Sequence, residues 1–203
     1  MQSHPIVAVD LGGTVEDSWA DKRSWFSKIG IDIGNIPRGR QDVIKMIGGN
    51  PQLYEQMANE VYSDTSILKH APIHGAGEAL RALRARFTIV ALSTRKADQE
   101  NVTREWLRCH YLTDCLSELV LIGDVMASRP NYKIAWCAEN NAHALIDDDA
   151  EHLGYCNSRV SLMRIHLCLH STTDAFASEQ APQIHLAMDW REVVRILFRG
   201  VNQ

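Results

Sequence analysis

The sequence lacks the features that are typical of membrane proteins, of secreted proteins and of nucleic-acid-binding proteins. It contains no stretch near the roughly 18 consecutive apolar residues of a membrane-spanning helix, and its first residues show no basic segment followed by an apolar one. It has no long run of one charge sign, since 21 basic and 25 acidic residues give a formal net charge of −4. A nucleic-acid polymer or a membrane is therefore not expected as a partner. We expect a cytoplasmic protein that binds small molecules.

Cysteine motifs for metal binding or redox chemistry are missing as well. The cysteines are odd in number and irregularly spaced, and none forms a CxxC pair, so we expect reduced and mostly buried thiols. His166, Cys168 and His170 alternate on one face of a segment, but three adjacent ligands on a flat strand cannot easily surround one zinc ion. His152 and Cys156 are likewise interpreted as ordinary side chains. The five cysteines are Cys109, Cys115, Cys137, Cys156 and Cys168.

Short apolar strands alternate with helical patterns along most of the chain. With 203 residues, 45% of them hydrophobic, the chain has material for one core of ordinary size. This alternation predicts an α/β fold, in which a parallel sheet is flanked by helices and ligands bind beyond the carboxyl ends of the strands. The predicted strands are Ile6–Val9, Phe87–Leu92, Leu119–Ile122, Ala142–Ile146, 161–169 and 184–187, and the predicted helices are 76–86, 98–109, 132–140 and 189–198.

Residues 17–71 interrupt this alternation, because they have helical patterns without an intervening strand. One helix is predicted over residues 18–29. Another is predicted over residues 51–62, with Asn50 as its cap and Pro51 at its first position. The segment is predicted to be a small helical cap inserted into the core. The core is then formed by residues 1–16 and 72–203.

Polar residues at the strand ends form four short motifs, in order along the chain. The strand Ile6–Val9 leads into Asp10-Leu11-Gly12-Gly13-Thr14, and the next strand leads into Ser93-Thr94. Lys133 opens a helix about fourteen residues before the acidic pair Asp147-Asp148. This set resembles the four motifs of the haloacid dehalogenase superfamily of hydrolases, and the resemblance spans nearly the whole chain.

The resemblance implies a Rossmann-like core and a role for each motif. Asp10 is expected to be the nucleophile, as the first Asp of the family's Asp-x-Asp-Gly-Thr sequence. A hydroxyl of Ser93 or Thr94 is expected to bind a phosphoryl oxygen, with Gly13 also at the bound substrate. Lys133 would neutralise charge on Asp10 and the phosphate. The residues expected to hold Mg²⁺ are Asp10, Gly12 through its backbone carbonyl, Asp147 and Asp148, although the sequence leaves open which of Asp147, Asp148 and Asp149 touch the ion.

Phosphoryl transfer needs these residue types independently of the resemblance. A carboxylate nucleophile divides hydrolysis into the formation and the breakdown of an aspartyl-phosphate. A hydroxyl, a lysine and Mg²⁺ supply positioning and charge neutralisation, on which the transfer mainly depends. The sequence therefore predicts a Mg²⁺-dependent phosphohydrolase for a small phosphorylated metabolite such as a nucleotide.

Gly12 departs from the family pattern, in which a second Asp two places after the nucleophile protonates the leaving oxygen. Glycine offers a backbone carbonyl to a metal but no acid. Three alternatives stay open: another bond is cleaved (acyl-phosphate, phosphonate or carbon–halogen), another acid such as Glu16, Asp17 or a cap residue substitutes, or the protein is a ligand-binding or regulatory protein with poor turnover. The pair Asp147-Asp148 favours a retained metal over a metal-free dehalogenase.

The inserted segment gives a hint of the substrate. The stretch Leu53–Tyr62, followed by Ala71-Pro72-Ile73-His74-Gly75-Ala76, resembles the 5'-nucleotidase and deoxyribonucleotidase branch of the superfamily. Four aromatic residues are candidates for stacking on a base, although packing of the segment against itself is favoured for most of them. They are Trp19, Trp25, Phe26 and Tyr54. The oligomeric state is not fixed by the sequence, and a homodimer stays open.

Overall fold

A computed structural model describes residues 4–35, 39–123, 132–154, 162–169 and 184–200. The strands in these ranges are β1 (Ile6–Val9), β2 (Glu16–Asp17), β3 (Ala71–Pro72), β4 (Thr88–Ser93), β5 (Glu118–Leu121), β6 (Ala144–Asp147), β7 (Met163–Leu167) and β8 (Ile184–Ala187). The helices are α1 (Trp19–Lys28), α2 (Arg40–Met46), α3 (Pro51–Val61), α4 (Asp64–Ile67), α5 (Ala76–Arg84), α6 (Glu100–Cys109), α7 (Tyr132–Glu139) and α8 (Trp190–Gly200).

Six strands form one parallel sheet in the order β5-β4-β1-β6-β7-β8, as the alternating pattern predicts. β1 lies inside the sheet and is buried on both faces. Val7 and Val9 pack on one face with apolar residues of α5, α6 and α8, while Ala8 packs on the other with Ile134 and Cys137 of α7. The fold is thus an α/β sheet covered on both faces, which explains why its strands are continuous apolar runs.

The strand boundaries differ from the predicted ones in an informative way. β1 and β8 match their predicted bounds, but Ser93 and Asp147, expected as the first residues of loops, are the last residues of β4 and β6. Ser93 still pairs with Leu121, and Asp147 with His166. Pairing with a neighbouring strand extends β4 and β6 by one polar residue each, and apolar character alone does not reveal that pairing.

Helices α1 to α4 form the segment between β2 and β3, and they have an apolar cluster of their own. Phe26, Val43 and Met57 belong to this cluster, and Phe26 and Met57 are fully buried. Asn50 caps α3 as predicted, since its Oδ1 accepts a hydrogen bond from the backbone N–H of Leu53 at 3.0 Å. Helices α2 and α4 were not expected from the sequence. The division into a core and a cap stays a prediction.

A two-stranded antiparallel ribbon closes this segment at its base. Glu16 of β2 pairs with Pro72 of β3, and Asp17 pairs with Ala71. The sequence analysis expected no strand here, because two residues are too few to show a period. The ribbon brings the two ends of the inserted segment side by side.

Two further expectations can be compared with the described residues. Cys115, Cys137 and Cys168 are buried and Cys109 is exposed, in line with mostly buried thiols, whereas Cys156 lies outside the described residues. Among the helices described here, none combines the length and the apolar character needed to cross a membrane.

Candidate active site

Three neighbouring strands deliver polar side chains to one edge of the sheet. Asp10 directly follows β1, Ser93 ends β4 and Asp147 ends β6. Because β1 pairs with both β4 and β6, these carboxyl ends are adjacent. They open into a cavity of about 1130 Å³ whose opposite wall comes from the inserted helices. This is the position at which open parallel sheets bind ligands.

Three carboxylates gather at the floor of this cavity. Asp10, Asp147 and Asp148 each offer an oxygen, and these oxygens all lie within 4.8 Å of one another. Asp10 and Asp147 are buried, while Asp148 is half-buried. A compact set of carboxylate oxygens is the environment that hard divalent cations prefer. The donor set therefore fits a metal such as Mg²⁺.

Lys133 connects two of these carboxylates. It lies on α7, is fully buried, and its Nζ donates to Oδ1 of Asp10 and to Oδ2 of Asp147, both at 2.6 Å. Burial by itself would lower the Lys133 pKa, but the two carboxylates outweigh it and raise the pKa above its ordinary value. Lys133 is consequently a permanent positive charge beside Asp10.

The carboxylates respond differently to this environment. Burial raises the pKa of Asp10 although Lys133 opposes it. Burial would also raise the pKa of Asp147, but Lys133 and His152 hold it below its usual range. Burial, together with the charges of Asp147 and Asp10, raises the pKa of Asp148 to about 8. One lysine therefore does not neutralise the cluster, and a bound cation would relieve the remaining repulsion.

The loop after β1 contacts Asp148 through Thr14 and Gly13. The Thr14 hydroxyl donates to Oδ1 of Asp148 at 3.0 Å and accepts from the Asp148 backbone N–H at 3.0 Å. Gly13 has φ +89°, and a Cβ there would overlap the Asp148 carboxylate. Its N–H donates to the Glu16 carbonyl oxygen at 2.8 Å, and it is not among the residues that line the cavity. Substrate binding by Gly13 stays a prediction, whereas its steric role is visible.

The remaining predicted residues lie on the cavity wall. Ser93, Thr94 and Gly12 all line it. Ser93 is buried, and its Oγ accepts a hydrogen bond from the Arg95 backbone N–H at 3.4 Å, while Thr94 is exposed. Both hydroxyls thus remain candidates for a phosphoryl oxygen.

The sequence analysis missed three residues of this site. His152 Nδ1 lies 3.1 Å from Lys133 Nζ and 3.2 Å from Oδ1 of Asp147, and it lines the cavity. Lys22 and Tyr62 line the opposite wall. The places of Lys22 and Tyr62 depend on the tertiary packing of the helical segment, which a lone Lys or Tyr does not signal. His152 follows Asp147 by only five residues, and that closeness in the chain is the signal that could have identified it.

The two acids suggested as substitutes for the missing carboxyl group are engaged elsewhere. Glu16 is fully buried, with Oε1 at 2.5 Å from Nδ1 of His70 and Oε2 paired with the guanidinium of Arg95. Burial would raise the Glu16 pKa, but His70 and Arg95 hold it below its usual range. Asp17 Oδ1 accepts from the Trp19 backbone N–H at 2.9 Å, at the start of α1. Neither residue lines the cavity.

The aromatic residues proposed for base stacking divide into two groups. Trp19 and Phe26 are buried in the apolar cluster of the insertion, and Trp25 packs against it. Tyr54 is buried and also lines the cavity. Packing therefore accounts for most of them, as favoured above, and Tyr54 alone of the four lies where it can meet a substrate.

The alternating His and Cys residues of β7 and the loop after it do not form a zinc site in the part of the chain that the structure describes. His166 Nε2 lies 2.9 Å from the Asp148 carbonyl oxygen, and its Nδ1 lies 2.9 Å from Sγ of Cys168. His170 lies outside the described residues. Within those ranges the group with metal-ligand geometry is the carboxylate cluster.

The structure is similar to several solved proteins. A haloacid dehalogenase-like protein of unknown function from Agrobacterium tumefaciens has a TM-score of 0.67 and 12% identity, over 98% of this chain and 100% of its own. A predicted phosphatase from Clostridium acetobutylicum has a TM-score of 0.64 and 13% identity, over 98% and 100%. A haloacid dehalogenase family hydrolase from Deinococcus radiodurans, solved with bound phosphate and sodium, has a TM-score of 0.59 and 17% identity, over 97% and 96%. This chain has the haloacid dehalogenase-like fold.

The haloacid dehalogenase-like fold covers nearly all of this chain, which confirms the predicted fold class. No protein-family model matches the sequence, and no curated protein matches it. At these identities the likeness establishes the fold and not the activity. None of the three descriptions names a nucleotidase, so the preference for nucleotides stays a prediction.

Proposed function

We propose that this protein is a Mg²⁺-dependent phosphohydrolase that acts through an aspartyl-phosphate on a small phosphorylated metabolite. The observation that carries the proposal is the buried Lys133 between Asp10 and Asp147, next to a third carboxylate at the floor of a large cavity. Structural neighbours described as phosphatases and hydrolases agree with it. Carboxylates beside a buried lysine, with a site for a cation and an open cavity, suit attack on an anionic substrate.

Each residue has a defined task in this reaction. Asp10 attacks phosphorus, and the bond from phosphorus to the leaving oxygen breaks. Lys133 holds Asp10 in place through its 2.6 Å hydrogen bond and offsets the negative charge that the phosphoryl group brings. The hydroxyl of Ser93 or Thr94 binds a phosphoryl oxygen. Water then attacks phosphorus and releases phosphate, which restores the Asp10 carboxylate.

The metal would be held by Asp10, Asp147, Asp148 and the backbone carbonyl of Gly12. When bound, Mg²⁺ supplies positive charge that offsets the repulsion between the carboxylates and the phosphate. The 4.8 Å limit on the separation of the three carboxylate oxygens supports this ligand set.

A nucleotide-sized substrate suits the cavity. Its volume of about 1130 Å³ slightly exceeds the range of about 300–1,000 Å³ that is typical of small-molecule sites. Tyr54 offers an aromatic ring on the wall built by the insertion, and stacking on a flat base would use it. On these two grounds we propose a nucleotide as the substrate.

The decisive experiment is a screen of phosphorylated metabolites with Mg²⁺, run on the wild type and on Asp10→Asn. We expect turnover of one or more phosphate compounds by the wild type and none by the variant, because the amide cannot form the covalent intermediate. Lys69→Gln, an exposed substitution outside the cavity, is the control and should keep wild-type rates. Turnover that survives Asp10→Asn would remove the mechanism.

A second prediction concerns the metal ligands. Asp147→Ala and Asp148→Ala should each abolish Mg²⁺ binding, measured by calorimetry, because a site with few protein ligands cannot lose one carboxylate and still offset dehydration of the ion. Asp149→Ala is the neighbouring control, since Asp149 is not part of the compact carboxylate group. Unchanged Mg²⁺ affinity in both variants would show that the metal assignment is wrong.

Gly12 favours a second candidate function, a regulatory or ligand-binding protein with the same site. Without an acid beside Asp10, phosphate compounds would bind but turn over poorly. Calorimetry with inorganic phosphate and Mg²⁺ would then show binding while the screen shows no hydrolysis. Fast hydrolysis of any phosphate ester would exclude this candidate, and hydrolysis of acyl-phosphates alone would point to the alternative bond chemistry.

A further inference from the structure

Cleavage of an alkyl phosphate requires a proton for the oxygen that leaves. Three nearby carboxyl groups are engaged in other contacts and do not serve as this proton donor. Glu16 is tied to His70 and Arg95, Asp17 caps α1, and Asp147 is paired with Lys133. None of these carboxyl groups can be spared for a leaving group. Several other acids line the cavity, and the group that lies beside Gly12 is the first one to consider, because Gly12 is where the carboxyl group is missing.

Tyr62 occupies the space next to Gly12. A Cβ added to Gly12 would meet Cε1 and the hydroxyl oxygen of Tyr62, both at 3.8 Å. Apart from the two chain neighbours of Gly12, no other described residue comes within 4 Å of that point. The phenol group thus shares the space that a carboxyl group at position 12 would use, two residues from Asp10.

Tyr62 is held in this place by contacts on both sides. Its backbone carbonyl accepts a hydrogen bond from Nε2 of Gln99 at 2.7 Å, which ties the end of α3 to the region after β4. Its hydroxyl lies 3.1 Å from Oγ of Ser18, which is buried. Tyr62 lines the same cavity as Asp10 and Gly12. These contacts hold Tyr62 on the cavity wall beside Gly12.

We propose that the Tyr62 hydroxyl is the general acid of this site, in place of the carboxyl group that Gly12 cannot provide. The proposal rests on the phosphohydrolase function proposed above. As Asp10 bonds to phosphorus and the P–O bond breaks, the Tyr62 proton passes to the leaving oxygen, which departs as an alcohol. The tyrosinate then takes a proton from the water that attacks the aspartyl-phosphate, so that Tyr62 and Asp10 are both restored.

Lys22 supports the loss of this proton. It is buried in α1, and its Nζ lies 5.6 Å from the centroid of the Tyr62 ring. Burial would lower the Lys22 pKa, whereas negative charge on Tyr62, Tyr54 or Asp148 raises it, so the ammonium form of Lys22 is favoured when the tyrosinate forms. A buried positive charge stabilises the tyrosinate formed in the first step.

The test compares two substrates that differ in the acidity of the leaving group. Glycerol phosphate needs a proton donor, whereas p-nitrophenyl phosphate releases a stable phenolate without one. Tyr62→Phe should lower kcat/KM about 10²-fold for glycerol phosphate and under about threefold for p-nitrophenyl phosphate. Tyr54→Phe removes a hydroxyl from the same cavity, and it should change both rates by one common factor.

A rescue experiment separates catalysis from structure. Gly12→Asp in the Tyr62→Phe background should restore about tenfold of the glycerol phosphate rate and leave the p-nitrophenyl phosphate rate unchanged. Gly12 lacks a positive φ, and a Cβ there would be in ordinary contact with the Tyr62 ring, so the aspartate carboxyl group can take the place of the hydroxyl that Tyr62→Phe removes. Both measurements together would establish that position 12 and Tyr62 serve the same proton transfer.

Two outcomes would overturn the role of Tyr62 and leave the proposed phosphohydrolase function intact. They are an equal loss on both substrates in Tyr62→Phe, and a wild type that hydrolyses p-nitrophenyl phosphate but not glycerol phosphate. In either case Asp10→Asn still abolishes p-nitrophenyl phosphate hydrolysis, and the proposed function stands. Hydrolysis of p-nitrophenyl phosphate that survives Asp10→Asn would instead reject both proposals.

Discussion

Gly12 and Gly13 are neighbours with opposite tolerance for a side chain. Gly13 has φ +89° and faces the Asp148 carboxylate, whereas Gly12 has no positive φ and room for a Cβ in ordinary contact with Tyr62. Gly13→Ala should therefore cost at least about 1–3 kcal/mol of stability from backbone strain and weaken Mg²⁺ binding by displacing Asp148. Gly12→Ala should fold like the wild type. Thermal unfolding and Mg²⁺ calorimetry on the two variants check this, and equal behaviour would contradict the loop geometry.

The site residues that the sequence predicts are those that follow apolar strands. Asp10, Ser93 and Asp147 could be placed together because parallel strands meet at their carboxyl ends. Lys133 was identified through the family resemblance, and its position between two carboxylates agrees with the role expected for it. Tyr62 could not be found in this way, because it meets Gly12 only where the end of α3 approaches the loop after β1.

At the scale of elements, a buried charged network joins the ribbon to the active-site edge. Glu16 of β2 pairs with His70, which precedes β3, and with Arg95, which follows β4. Arg95 also donates to Oγ1 of Thr103 in α6 at 3.1 Å. The network therefore ties the base of the insertion to the loop that carries Thr94. No sequence period predicts it, since its members come from distant, non-repeating positions.

Glu16→Gln should destabilise the protein by about 3–5 kcal/mol at pH 7, because it leaves Arg95 buried without a counter-charge. The Glu16 pKa is lower in the folded state than in the unfolded chain. Its contribution is therefore fully present above the unfolded pKa of about 4.3 and is lost as pH falls through the lower folded pKa. Urea unfolding at several pH values should show the difference between wild type and variant shrinking below about pH 4.

Glu105→Gln provides the matched control for this measurement. Glu105 pairs with Arg108 at 2.6 Å on the exposed face of α6, where solvent screens the charges. Its removal should leave the free energy of unfolding almost unchanged at every pH. A pH-independent effect of Glu16→Gln, or an equal effect of both substitutions, would show that the buried network does not carry this stability.

At the scale of the whole molecule, metal and phosphate binding should stabilise the fold together. Mg²⁺ at 100 times its Kd should add about 2.7 kcal/mol to the free energy of unfolding. Inorganic phosphate should add more only when Mg²⁺ is present, because the metal-free carboxylates repel an anion. Thermal unfolding with each ligand alone and with both checks this. Asp148→Asn should lose the Mg²⁺ effect, and phosphate stabilisation without Mg²⁺ would argue against a metal-dependent site.

The sequence predicted the overall architecture more completely than it predicted the ends of the strands and helices. Long apolar runs and helical periods carry enough pattern to predict the sheet and most of its helices. The four-residue helix α4 and the two-residue strands of the ribbon carry too little. These short elements form because tertiary contacts hold them, and those contacts join residues far apart in the chain.

The ribbon of β2 and β3 makes the segment between these two strands suitable for exchange by protein engineering. Glu16 and Pro72 pair directly, so the chain leaves the part that contains the parallel sheet and returns to it at adjacent positions. A segment with adjoining ends can be exchanged for one of another length without shifting the strands around it. Lys22 and Tyr62 lie in that segment, whereas Asp10 and Lys133 do not. Exchanging this segment would thus replace Lys22, Tyr62 and their wall of the cavity together, and would leave Asp10 and Lys133 in place.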